Sequence, residues 1–153
     1  MLPEYKLPVS TLVVIHTADL QVLLLERADH PGYWQSVTGS RHAGETLRAT
    51  AIREVGEETA LDATRYPLLD WEHQNIYEIY PVWRHRYPPG TTHNTEHVFG
   101  LTLPAALPVT VAPREHLGYL WLPYDAAAAK CFSWSNRDAI LQLRRRSVAP
   151  PTS

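Results

Sequence analysis

The apolar positions of this 153-residue chain change period several times, and each change marks an element. Residues 9–17, VSTLVVIHT, alternate weakly and are rich in β-branched side chains, which predicts a strand. Ala18-Asp19-Leu20 predicts a turn, and Val22 to Arg27 a second strand, so the pair forms a hairpin. Asp29-His30-Pro31-Gly32 breaks the chain, and Trp34 to Thr38 is a short strand running into Gly39. The period then becomes helical: Leu47, Ala51 and Val55, with Ile52 beside them, predict a helix from about Glu45 to Thr59 with one buried stripe. Trp71 to Trp83 predicts one or two strands packed through Ile76, Ile79 and Tyr80, closed by a turn at Tyr87-Pro88-Pro89-Gly90. Further strands are expected over Glu96–Leu103 and Tyr119–Leu122, with a loop or edge strand over Pro108–Pro113. Asp125 to Lys130 begins a short helix. Ser135-Asn136-Arg137-Asp138 resembles a capping box, opening a helix through about Arg146 whose Arg144–Arg146 end is a solvated terminus. Strands mixed with helical segments suggest an α/β sandwich. No repeat or linker interrupts them, so residues 1–148 are expected to form one domain and 149–153 a disordered tail.

Composition narrows the classes. A hydrophobic content of 44% supports a real core, and a net charge of -2 argues against general nucleic-acid binding. No run of 18 apolar residues predicts a membrane span, and the N-terminus shows no signal-peptide pattern. The single cysteine, Cys131, cannot form an internal disulfide, so a reducing cytoplasm is the expected setting. Its flanks suggest a small buried side chain rather than a nucleophile. Lys6 and Lys130 are the only lysines among the basic residues; arginine suits phosphate, but genome base composition is the simpler source of the bias. Nothing in the chain sets an oligomeric state.

The chemistry concentrates in one stretch. Glu54, Glu57 and Glu58 fall three and four apart and project from one face of the predicted helix, separate from its core face. Like charges at that spacing weaken a helix by roughly 0.2–0.5 kcal/mol per pair, so the cluster makes sense with a cation, and all-oxygen ligands suit Mg²⁺ or Mn²⁺. An ordinary charged helix face would account for the glutamates but not for the glycine-containing loop before them. Two other patterns fail on physics. Gly39-x4-Gly44-Glu45-Thr46 approaches a P-loop, but Glu45 stands where a lysine would meet phosphate. His93-Asn94-Thr95-Glu96-His97 matches a zinc-protease pattern that needs a helix, whereas here it enters a β-patterned run in which His93 and Glu96 face oppositely. His16 and His116 have no partner spacing and are expected to be structural or surface groups.

Residues 39–61 fit Gly-x5-Glu-x7-Arg-Glu-U-x-Glu-Glu-x-Gly-U, with U aliphatic, at Gly39, Glu45, Arg53, Glu54, Val55, Glu57, Glu58 and Leu61; only Ala60 departs, where glycine is usual. This pattern resembles the signature of the Nudix hydrolases. The resemblance implies a Nudix-type α/β/α sandwich with a mixed sheet, and Mg²⁺-assisted hydrolysis of a diphosphate linked to another moiety. It assigns metal binding to Glu54, Glu57, Glu58 and the Gly39 carbonyl, and has Arg53 pair with Glu45 to brace the loop. Lys6-Leu-Pro-Val-Ser, Trp34 to Gly39, Arg84-His-Arg-Tyr87, Asn94-Thr-Glu96, Glu115-His-Leu117 and Ser133-Trp-Ser-Asn-Arg137 further resemble the branch of the family that acts on dihydroneopterin triphosphate. That likeness implies release of dihydroneopterin monophosphate and pyrophosphate, and substrate contacts at Lys6, Arg27, Thr38, Ser133 and Tyr77-Glu78-Ile79-Tyr80. Lys6 and Arg27 would hold phosphate oxygens, and Tyr77 and Tyr80 would flank a ring, although strand aromatics more often pack in cores. It makes Glu115 a further metal ligand or the general base, with Glu96 a weaker candidate; Arg84 and Arg86 would meet phosphate or pair with acids. Two alternatives stand beside it: a (deoxy)nucleoside triphosphate diphosphatase, and a non-catalytic nucleotide-binding module.

Overall fold

The computed structural model describes residues 4–147. Strand β1 (Val9–Thr17) lies at the centre of a mixed sheet. It pairs in parallel along its whole length with β6 (His93–Leu103), and β6 pairs antiparallel with the edge strand β5 (Leu68–Glu78). On its other flank β1 divides its partners. Its Ser10–Val13 half pairs with β4 (Val37–Ser40), while His16 meets Val22 of β2 (Gln21–Arg27). β2 in turn pairs with the two-residue β3 (Trp34–Gln35) and with β7 (His116–Pro123). The sheet therefore forks between β4 and β2, and a cleft opens there.

Helices cover both faces, as expected of an α/β/α sandwich. α1 (Leu47–Thr59) buries Ala51 and Val55 against Val13, Ile15, Leu25, Phe99 and Leu101. α2 (Tyr124–Lys130) and α3 (Trp134–Ser147) cover the opposite face, where Ala127, Ala139, Ile140 and Leu143 meet Leu12, Val14, Leu24 and Val98. Neighbouring residues of β1 serve opposite cores, so its run of fully buried positions follows from period-two alternation. Cys131 is buried, and burial pushes its thiol up to about 12, which makes it inert.

Several boundaries differ from the sequence expectations for physical reasons. Thr46, not Glu45, caps α1 by accepting from the Ala49 N–H at 3.0 Å, which leaves Glu45 outside the helix. The segment Trp34–Thr38 breaks at Ser36, whose N–H donates to Asn136 Oδ1 at 2.9 Å, so two strands replace one. β5 begins at Leu68 and carries a bulge between Asp70 and His73, with Glu72 at φ 53°. Ile79 is on the buried side with Trp71 and Asn75, but Ile76 and Tyr80 are 60% and 43% exposed and are not packing residues. A 3-10 turn, Pro81–Arg86, replaces the end of that predicted strand. Residues 108–113 form no strand, and β7 starts at His116 rather than Tyr119. α3 is capped by Ser133, whose Oγ accepts from the Asn136 N–H at 3.4 Å, rather than by the Ser135–Asp138 box. Arg146 folds back over the Trp71 ring at 4.3 Å. The predicted 149–153 tail lies outside the described residues.

Candidate active site

The fork of the sheet opens into a cavity of about 1010 Å³. Glu54 and Glu58 enter it from α1, Gly39 from β4, Arg27 from β2, Glu115 from the turn before β7 and His116 from the first position of β7. Gly39 is required by contact. A Cβ there would collide with the Glu54 carboxyl, so glycine leaves that carboxyl the space it occupies.

Arg53 organises the acidic group. Its Nε donates to Glu45 Oε2 at 2.7 Å, and Nη2 donates to Glu45 Oε1 at 3.0 Å and to the Ser40 carbonyl at 2.9 Å. Nη1 donates to Glu54 Oε1 at 2.6 Å, with Glu57 Oε2 at 3.3 Å. One guanidinium thus ties the end of β4 and the loop after it to the middle and later turns of α1. The same fork lowers the Glu45 carboxyl to about 2. Glu45 also accepts from the His42 N–H at 2.9 Å and from the Thr50 hydroxyl at 2.9 Å, so the loop is held at both ends.

The carboxylate face is not separate from the core face. Glu58 is 2% exposed, among the buried positions Thr50, Ala51, Val55 and Thr59, and its Oε2 has no hydrogen-bond partner among the described residues. Burial, with Glu54 next to it, raises the Glu58 pKa well above the usual carboxylate range. Burial also raises Glu54, against the pull of Arg53. Glu57 is half exposed. His116, expected to be structural or on the surface, instead points Nε2 at Glu58 Oε1 from 3.4 Å. Burial lowers its imidazole to about 4, so the ring is neutral near pH 7 and keeps a free lone pair. Ligand atoms of Glu58, Glu115 and His116 lie within 4.8 Å of one another. Neutral imidazole, mutually repelling carboxylates and an unpartnered buried oxygen are what a divalent cation satisfies. Glu96 does not belong to that group.

The other predicted residues border the same cavity. Lys6 stands at its mouth, where dense surroundings and then Arg86 lower its pKa. Arg27 makes two 2.7 Å bonds to Asp29, donates to Gln35 Oε1 at 3.2 Å, and lies 4.5 Å from the centre of the Trp83 ring. Thr38 accepts from Gln35 Nε2 at 3.3 Å. Tyr77 is tied by its hydroxyl to Asn94 Nδ2 at 3.0 Å, whereas Tyr80 stands 5.2 Å from Trp83 at the rim. Glu78 and Arg84 pair with each other, Arg86 reaches Asp29 at 3.4 Å, and Ile79 accepts Arg84 Nε on its carbonyl at 3.0 Å. Ser133 caps α3 at the cavity wall. Trp83, Phe132, Asn136 and Gln35 also line it and were not singled out by the sequence. Trp83 is brought in by the 3-10 turn, Phe132 and Asn136 by the entry to α3, and Gln35 by the two-residue β3, none of which spacing reveals.

With this geometry, comparison with known proteins decides the family. The model of the NUDIX domain matches residues 6–143. The chain belongs to the Nudix family. It is 50% identical over 142 residues to dihydroneopterin triphosphate diphosphatase of Escherichia coli (strain K12), covering 91% of this chain and 93% of that one. It is 39% identical to the Haemophilus influenzae protein of the same name, over 92% of this chain and 89% of that one. The solved structure of the E. coli dihydroneopterin triphosphate pyrophosphohydrolase superposes with a TM-score of 0.87 at 48% identity, covering 94% of this chain and 99% of that one. The Nudix fold expected from the sequence is thereby borne out, and the Arg53-braced loop and helix are its signature segment. Nudix hydrolases use a divalent metal, which suits the donor set described above. Among the described residues no helix is long and apolar enough to cross a membrane.

Proposed function

We propose that this Nudix protein hydrolyses dihydroneopterin triphosphate to dihydroneopterin monophosphate and pyrophosphate, with Mg²⁺, or Mn²⁺ in its place. The observation that carries this reading is the buried carboxylate group of Glu54 and Glu58 at the fork of the sheet, in a chain half-identical to enzymes of that name. Glu54, Glu57, Glu58 and Glu115 would hold the metal with the Gly39 carbonyl, and His116 adds a neutral nitrogen beside them. A divalent ion supplies charge neutralisation for phosphate oxygens and acidification of the attacking water.

The chain's own residues do the rest. Lys6 and Arg27 bind the phosphate oxygens as charged donors. Arg53, through Glu45 and Ser40, keeps Gly39 and Glu54 in register, so the acidic group is set before substrate arrives. Water adds to phosphorus, the phosphoanhydride P–O bond breaks, and pyrophosphate leaves toward Lys6 and Arg27. Thr38, Ser133 and Tyr77–Tyr80 then face the remainder of the substrate across the cavity. We also take residues 1–148 as one working domain, supported by a single sheet through the described residues and a family match over 6–143. A cytoplasmic setting is proposed from the lone cysteine.

Pyrophosphate release from dihydroneopterin triphosphate and from dATP, with Mg²⁺ and with chelator, tests the reading. Wild type is expected to favour the pterin substrate and to stop on chelation. Glu58→Gln is expected to fold and to lose at least about 100-fold in activity. Undiminished activity in that variant, or preference for dATP, defeats the assignment.

A further inference from the structure

The cavity has a second chemical end, away from the metal-ligating group. Asn94 and Glu96 lie two residues apart on β6 and share the face of Val98, which looks toward α3. Both line the cavity, and they are 1% and 2% exposed. Asn94 Nδ2 donates to Ser10 Oγ at 2.7 Å and to the Tyr77 hydroxyl at 3.0 Å, which spends its donors inside the protein. What remains is acceptor. Asn94 Oδ1 and Glu96 Oε1 are both buried and without a hydrogen-bond partner among the described residues. Burial pushes the Glu96 carboxyl up to about 7, opposed by Ser135 and Asn75 beside it. Two stranded acceptors at a cavity wall call for a ligand that brings donors.

The surroundings suit a flat heterocycle. The segment from Phe132 to Asn136 carries the wall from the cavity rim to the neighbourhood of Glu96. At the rim Phe132 and Trp83 stand edge to face, 6.2 Å apart at 88°, and offer an aromatic surface.

We propose that Glu96, with Asn94 beside it, reads the donor edge of the substrate's ring, the adjacent ring N–H and exocyclic amino group of a 2-amino-4-oxopyrimidine. This deepens the reading above and rests on it for the identity of the ring. A carboxylate accepts two such N–H groups side by side. Adenine offers a ring-nitrogen lone pair where the N–H is needed, and would leave the buried carboxyl opposed. Sites built around a donor reject analogues that lack it, because the protein's own polar groups then stay unpaired.

The test measures kcat/KM for pyrophosphate release from dihydroneopterin triphosphate and from dATP, in wild type and Glu96→Gln. The amide turns one acceptor into a donor that faces the ring's own donors. The variant is expected to lose about 10- to 100-fold on the pterin substrate, to hold or gain on dATP, and to melt no lower than wild type. Equal loss on both substrates, or no loss on the pterin, overturns the proposal. A second measurement needs no variant. Calorimetry on wild type is expected to show neopterin binding at least about tenfold more tightly than its analogue without the 2-amino group; equal affinities, or no neopterin binding, also overturn it. If wild type releases no pyrophosphate from dihydroneopterin triphosphate, the proposed function fails, while the neopterin comparison still tests the ring site.

Discussion

Glu96→Gln makes a stability prediction whose size follows from the structure. The carboxyl is 2% exposed and is pushed by burial from an ordinary 4.5 to about 7 in the folded protein. The folded state therefore holds the Glu96 proton more tightly than the unfolded state. Below pH 4.5 the group is protonated in both states and costs nothing. As pH rises from 4.5 through 7 the unfolded chain releases its proton first, and folding stability falls until the folded state has ionised as well. At 1.36 kcal/mol per pH unit, the full penalty is about 3 kcal/mol. Glutamine has no proton to lose, so the variant escapes the penalty. Glu96→Gln should match wild type at pH 4.5 and exceed it by about 3 kcal/mol at pH 8, a rise in Tm of roughly 6–12 °C for a domain of this size. Thermal melts followed by circular dichroism in chelator at the two pH values measure this directly. An offset of the same size at both, or a variant less stable at pH 8, would refute the argument. Paired with the substrate test above, the expected result is a more stable protein that reads its substrate less well.

Other substitutions probe the frame around the acids. Ala60 ends α1 with φ 63°, a left-handed conformation that costs an L-residue about 1 kcal/mol, so Ala60→Gly should raise Tm by a few degrees and leave pyrophosphate release unchanged. Gly39→Ala puts a methyl into the Glu54 carboxyl; the side chain can swing away, so melting should hardly move while kcat/KM falls about 100-fold. Arg53→Lys replaces a fork bonded to Glu45, Glu54 and Ser40 with a point charge; calorimetry should show a loss of about 2 kcal/mol, with activity falling in step.

Much of the molecule could be read before folding. Val9–Thr17, the helix ending at Thr59, and the acids Glu54, Glu57 and Glu58 follow from period and spacing, because backbone geometry converts intervals of two, three and four directly into faces. The Arg53–Glu45 pair was implied by the resemblance to the Nudix signature, whereas the close approach of Gly39 to the Glu54 side chain was not foreseen in the sequence. Other features were not available there. Nothing in the intervals says that Glu58 is sunk in the core, since burial depends on what α1 packs against. Ile76 was expected to pack with Ile79, but an interval of three along a strand sets the two on opposite faces, and Ile76 lies on the exposed one, away from Trp71 and Asn75. His116 was discounted for lack of a partner near it in sequence; its partner is Glu58, on a helix joined to it only through the sheet. Asn94, Glu96, Trp83 and Phe132 meet around one cavity because β1 divides its hydrogen bonds between β4 and β2. Local spacing sets which side chains share a face of one element. Which faces then confront each other is set by strand order, a long-range choice made by burial of the whole apolar surface and visible only once the chain has closed on itself.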